Sequence, residues 1–317
     1  MTAPTTPIRT PVLSHETYWT QSVFLAEMRD VFAHTWLFAG LVASFETGPQ
    51  SLTLAGMSMM IEPVDDGFRA KMGTSVAEVG LCGQFVFVRP ISGGPSLAEF
   101  LAPYSELLMT ISRDLVQADH VARIVAEVNW KALVENTLDD CHAATVHTKT
   151  LQPGMDSAWL SRYQPERHGA HSMMGNDLGA ADVVFWNRLA ARLPLARHHH
   201  NSTYKHMFIF PNFYIATFFG AMVMLHRVDP IAPELAALEL MTCLPVSRPL
   251  TKGERAFHGA VMRDLVAKAE IVVAEDIAVC RLAQLGHHFA VHPGILGTRE
   301  CRVDDFQQTL RKLIDAR

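Results

Sequence analysis

The chain has 317 residues, 49% of them hydrophobic, enough for one large domain or two modest ones around a substantial core. Its net charge of −5 argues against a nucleic-acid or anionic-membrane footprint, and no apolar run is long enough for a transmembrane helix. The five cysteines, Cys82, Cys141, Cys243, Cys280 and Cys301, are scattered and form no C-x2-C or C-x-H pair. This excludes a zinc ribbon or clustered iron–sulfur pattern and fits free thiols in a reducing cytoplasm.

Met1 to Ser14 is polar and rich in Pro and Thr, without the apolar stretch of a secretory signal, and reads as a loose arm. Apolar spacing predicts an amphipathic helix over 17–35. Strands are predicted over 36–45, 51–54, 57–61, 68–71 and 85–88, punctuated by Asp65-Asp66-Gly67 and Gly93-Gly94-Pro95. Ser96, with Glu99 three residues on, caps a helix predicted to reach Ser112. A strand over 121–128 leads into a helix over 129–144. Residues 150–200 are weakly periodic and read as loops and short helices. The run His198-His199-His200 reads as an exposed loop. Strands follow over 207–210, 213–219, 221–228 and 238–243, with turns at Pro211-Asn212 and Asp229-Pro230. A long helix over 252–285 and a last amphipathic helix over 303–314 complete the chain.

The stretch from Asn129 to His147 carries the chemistry. On a helix Asp139 and His142, three apart, share a face. His147 lies about 140° round from His142, so the two imidazoles converge only if the helix ends or kinks between them. The β-branched Thr145 and Val146 loosen helix preference there. Two neutral imidazoles and one carboxylate with open positions suit Fe(II) and dioxygen. Asp276, flanked by Val and Ile in the long helix over 252–285, is the best carboxylate, because an acid in such a setting is costly unless paired or metal-bound. Glu275, about 100° round the same helix, is its rival. No HExxH, GxSxG or P-loop pattern occurs, and the order of the ligands differs from the H-x-D of 2-oxoglutarate oxygenases.

The run N-W-K-x3-E-N-x2-D-x2-H-x4-H resembles the catalytic domain of the α-subunit of Rieske-type non-heme iron oxygenases. Glu275-Asp276 is similar to that family's third-ligand segment, and 208–213 to its pocket-lining sheet. Residues 36–45 and 85–90 resemble the entry to and exit from its Rieske domain. The resemblance implies an α+β fold: a helix-grip catalytic domain, an antiparallel sheet on a long helix, preceded by a reduced β domain. It implies an arm and helix over 1–35, a Rieske-like β region without cluster over 36–95 and an iron domain over 96–317. It also implies His142, His147 and Asp276 as ligands of one Fe(II), Asp139 as the acid linking iron to a neighbour's cluster, Asn136 beside the iron, and a head-to-tail trimer.

The family's cluster ligands, C-x-H and C-x2-H, are missing. No histidine stands between His34 and His120, and no such pair occurs in the chain. The expectation is therefore a cytoplasmic oxygenase component with no [2Fe–2S] cluster. It would hydroxylate or dealkylate an apolar or aromatic small molecule with O2, in a trimer-based hetero-oligomer. Electrons would come from a cluster-bearing oxygenase subunit or a reductase with a Rieske domain. The competing expectations are a non-catalytic structural subunit of such an assembly and a ligand-binding helix-grip protein.

Overall fold

A computed structural model describes residues 9–151 and 164–316. The part of the arm over 1–8 and the part of the weakly periodic stretch over 152–163 lie outside the described residues. Six strands, β1 (Leu37–Leu41), β2 (Gln50–Leu54), β3 (Met57–Val64), β4 (Gly67–Met72), β5 (Ser75–Cys82) and β6 (Phe85–Arg89), form a sheet in the order β1-β6-β5-β4-β3-β2. Seven more form a second sheet in the order β7-β13-β12-β11-β10-β9-β8. They are β7 (His120–Ala126), β8 (Glu166–His168), β9 (His171–Asp177), β10 (Thr203–Ile209), β11 (Phe213–Phe218), β12 (Met222–Ala232) and β13 (Leu235–Cys243). Every neighbouring pair is antiparallel. The helices are α1 (Gln21–Ala26), α2 (Leu97–Leu101), α3 (Ser105–Ser112), α4 (Trp130–Leu138), α5 (Ala180–Ala190), α6 (Lys252–Phe289) and α7 (Cys301–Asp315). The fold is α+β, with antiparallel sheets and helices.

The first sheet is built of tight hairpins. Leu54 pairs with Met57, Val64 with Gly67, Met72 with Ser75 and Cys82 with Phe85, so each turn has two residues. Gly73 and Gly83 supply the positive φ that such turns need. The two sheets share a core. Phe38 of β1 stacks on Phe213 of β11 at 4.0 Å between centroids, with Phe85 and Phe87 edge-on to the same ring. The buried Arg227 of β12 donates to the carbonyls of Phe38 and Ala39 and pairs with Asp229 and Glu239.

On the other face of the second sheet, Met262 and Leu265 of α6 pack with Met222 and Met224. Further along, Val273, Ile277 and Cys280 join Leu133 and Val134 of α4 and Phe306 and Leu310 of α7. Helix α6 begins with a reciprocal box: Glu254 N–H donates to Thr251 Oγ1 and Thr251 N–H to Glu254 Oε2. Its 38 residues give a rod about 57 Å long.

Several predicted elements change in detail. The helix over 17–35 is broken into α1, a π-turn over Glu27–Val31 and 3₁₀ turns at His15–Tyr18 and Phe32–His34. The strand over 36–45 stops at Leu41 and turns through Val42–Ser44. The helix over 96–112 keeps its capping box but breaks at Ala102, which is extended because it precedes Pro103. Asp229-Pro230 does not turn the chain: both lie in β12, Asp229 fixed by Arg227 and by the Ala55 N–H. The strand β5 was not anticipated, because Glu78 and Gly80 interrupt its apolar alternation. Gly80 is where Leu97 approaches, and a Cβ there would lie 2.6 Å from Leu97 Cδ2. The arm is tied down from residue 9, where Arg9 bridges Leu296 and pairs with Asp304. His198 and His199 are half-buried rather than exposed, because Gly220 seats against the backbone of His199.

Candidate metal centre

Helix α4 begins where the Asn129 side chain accepts the Lys131 N–H. Trp130 Nε1 and Lys131 Nζ both donate to the fully buried Glu27, at 2.8 and 2.6 Å. The first half of the motif therefore anchors the helix rather than forming the site.

The helix ends at Leu138. Asp139 leaves the helical region (φ −86°, ψ 84°), and a 3₁₀ turn follows over Asp140–Ala144. The His142 carbonyl then accepts from the N–H groups of Thr145 and Val146 and from Thr145 Oγ1. This local closure folds His147 back toward His142, the convergence that an unbroken helix over 129–144 would prevent.

His142 Nε2, His147 Nε2 and Asp276 Oδ1 meet. The separations are 3.2 Å between the two nitrogens, 3.1 Å from His142 to Asp276 and 2.9 Å from His147 to Asp276. Among the described residues these three form a group able to hold a metal ion. The outer nitrogens decide the tautomers. His142 Nδ1 meets the Asp139 carbonyl, which only accepts, and His147 Nδ1 meets Glu275 Oε2 at 2.8 Å. Both protons therefore sit on Nδ1, and both Nε2 lone pairs point at one spot. Two lone pairs and a carboxylate oxygen so placed need a shared cation, whether proton or metal. Glu275, the rival for the ligand position, sits behind His147 and accepts from Thr150 Oγ1 at 2.7 Å. Asn136 Nδ2 donates to Asp276 Oδ1 at 2.9 Å, so this residue joins the group.

The electrostatics agree. Burial works against charge on each ring, yet Asp276, helped by Asp139 at His142 and Glu275 at His147, raises both imidazole pKa values. Burial likewise works against the Asp276 carboxylate, but hydrogen bonds from His142 and His147 hold it well below the ordinary range. Asp139 does not join the three converging atoms. Its carbonyl orients His142, and its side chain accepts the Cys141 N–H at 3.0 Å.

The group opens on a cavity of about 640 Å³ between the second sheet, α4, α5 and α6. Its sheet wall alternates: Tyr214, Ala216, Phe218, Met222, Met224 and His226 face the cavity. Phe213, expected as pocket lining, faces the core shared with the first sheet together with Ile215, Val223 and Leu225, as period-two geometry requires. Phe208 is likewise buried outside the cavity, against Phe306. Sequence reasoning did not single out His206 and His226 on that wall. The signal was available in the alternation Tyr204, His206, Phe208 and Met222, Met224, His226. Burial lowers the pKa of both rings, His226 to about 3, so both are neutral.

A family description, the ring hydroxylating alpha subunit (catalytic domain), matches residues 114–316. No curated protein matches the sequence. Among solved structures, the quaternary ammonium Rieske monooxygenase CntA in complex with an inhibitor is similar with a TM-score of 0.76. It shares 13% identity, over 98% of this chain and 96% of that one. Naphthalene 1,2-dioxygenase from Rhodococcus sp. bound to indole is similar with a TM-score of 0.73. It shares 12% identity, over 96% of this chain and 94% of that one. At such identity these structures speak for the fold, and the match over 114–316 speaks for descent. The chain belongs, through its catalytic domain, to the ring hydroxylating α-subunit family.

Proposed function

We propose that this chain is an oxygenase component that holds one Fe(II) through His142, His147 and Asp276 and oxidises an apolar small molecule in the adjoining cavity. Electrons come from a separate cluster-bearing partner. The carrying observation is the convergence of two Nε2 lone pairs and one carboxylate oxygen on a single point. That donor set, with open positions, suits Fe(II) rather than a closed structural zinc site. Glu275 and the Asp139 carbonyl hold the imidazoles in the ligating tautomer, and Asn136 holds the carboxylate. When bound, Fe(II) supplies dioxygen chemistry that draws electrons from outside unless the substrate provides them. The methionine and aromatic wall excludes water and seats an apolar ring beside the group.

Two observations support placing the cluster on another protein. The sequence has no C-x-H or C-x2-H pair. The four hairpins joining β2 to β6 turn in two residues each, leaving no loop there to carry cluster ligands. We read the region over 36–95 as a Rieske-like framework without its cluster-binding loops, and Asp139 as the relay toward the partner. Leu282, Leu285, Phe289, Val291 and Ile295, all more than half exposed at and beyond the end of α6, support an assembly that covers them.

The test is iron content after purification under anaerobic, reducing conditions. One iron per chain is expected, lost on His142→Ala or Asp276→Ala with the fold retained by circular dichroism. An iron-free chain, alone and in its native complex, would favour the structural-subunit reading instead.

A further inference from the structure

The cavity wall holds a polar point that the metal group does not use. His206, on β10, is 4% exposed and lines the cavity. Arg302 Nη2 donates to His206 Nδ1 at 2.9 Å. A guanidinium only donates, so Nδ1 is the accepting nitrogen and the ring proton is on Nε2. Arg302 is itself buried and steadied by Ser172 Oγ at 2.9 Å, so this tautomer is built in. The Nε2–H donor has no partner among the described residues. Two further wall groups share this state: Asn176 Nδ2 on β9, and both ring nitrogens of His226 on β12. Tyr214 stands between the imidazoles, 5.5 Å from His206 and 4.6 Å from His226 between centroids.

A buried donor left without an acceptor is costly, and the described residues offer His206 none. The cavity that His206 lines is where an acceptor for it would stand. Much of the rest of the lining is apolar or aromatic, including Phe185, Trp186, Phe218, Met222 and Met224, while Lys149, Asp177, Asp182 and Lys268 are its charged members. A ligand satisfying both features is an apolar ring bearing an oxygen acceptor.

We propose that His206 anchors the substrate through its Nε2–H, and that the substrate is an apolar ring compound carrying a carbonyl or carboxylate oxygen. This rests on the oxygenase reading for the word substrate, but the binding site itself does not need the iron.

The experiment measures equilibrium binding to the full chain of three probes of similar size: ethylbenzene, acetophenone and phenylacetate. Acetophenone, phenylacetate or both should bind about tenfold more tightly than ethylbenzene. A gain for phenylacetate alone assigns a carboxylate; a gain for both assigns any oxygen acceptor. His206→Phe should abolish the preference, and His206→Asn, which keeps an N–H donor, should restore part of it. Imidazole ¹⁵N resonances should show His206 as the neutral Nε2–H tautomer, with its Nε2 signal shifting on addition of the favoured probe. Equal affinities for all three probes, no binding of any, or a preference that survives His206→Phe would overturn the proposal. Iron is measured in the same samples. A chain without iron that keeps the His206-dependent preference would defeat the oxygenase reading and leave this one standing.

Discussion

Glu275 and Asp276 are neighbours on one helix and hold opposite sides of the same imidazole. Asp276 meets Nε2 of His147, and Glu275 meets Nδ1. A carboxylate behind a ligating histidine fixes its tautomer and makes it a stronger donor. Glu275→Ala should therefore lower iron affinity about 10–100-fold without abolishing binding, read by competition with a ferrous chelator. An unchanged affinity would mean that the Glu275 contact is only local packing. Sequence reasoning preferred Asp276 for its apolar flanks and kept Glu275 as the rival. Helix geometry separates them by about 100°, and only the position of His147 decides which side each one takes.

At the scale of elements, α4 is held by a buried polar network. Tyr18 Oη and Gln307 Nε2 donate to Glu135 Oε1, while Lys131 sits on Glu27. Burial, opposed by those two hydrogen bonds, pushes the Glu135 pKa from 4.5 up to about 7. The folded state thus holds this proton more tightly than the unfolded chain. Its contribution to stability is full below pH about 4.5 and is lost as pH rises toward 7, by on the order of 3 kcal/mol. The urea midpoint should fall between pH 5 and pH 8, and Glu135→Gln should flatten that fall. The same helix shows how far local pattern carries. Its start was legible in Asn129, a strong capping residue. Its end was not, since nothing in Asp139-Asp140-Cys141 forbids another turn. The stop comes from Asp139 leaving helical geometry and from three donors gathering on the His142 carbonyl. Strand β5 was missed for a related reason: Glu78 looks misplaced until Arg89 pairs with it across the hairpin.

At the scale of the molecule, the two sheets share one aromatic core, so the strands of 37–89 brace the cavity-bearing sheet from behind. The missing cluster ligands, the two-residue hairpins and the exposed apolar end of α6 together support a partner-dependent oxygenase. The iron-loaded chain alone should show no sustained turnover with a nicotinamide reductant. Adding a cluster-bearing partner should restore it. In that reconstituted system Asp139→Asn should cut turnover at least tenfold while iron content stays constant. A loss of stability with turnover per iron unchanged would assign Asp139 only its capping role at Cys141.

By itself the sequence determined the family motif, the three candidate ligands, the antiparallel character of the fold and the lack of clustered cysteine–histidine pairs. These depend on residue identity and short-range spacing, which the chain displays directly. Tertiary structure alone decided which acid faces which nitrogen, which face of each strand lines the cavity, and that the N-W-K segment is an anchor. Those outcomes depend on where a helix stops and on which groups burial forces into partnership. So does the tautomer at the candidate metal centre: both Nε2 lone pairs are free to face one point because the Asp139 carbonyl and Glu275 accept hydrogen bonds from the Nδ1–H groups.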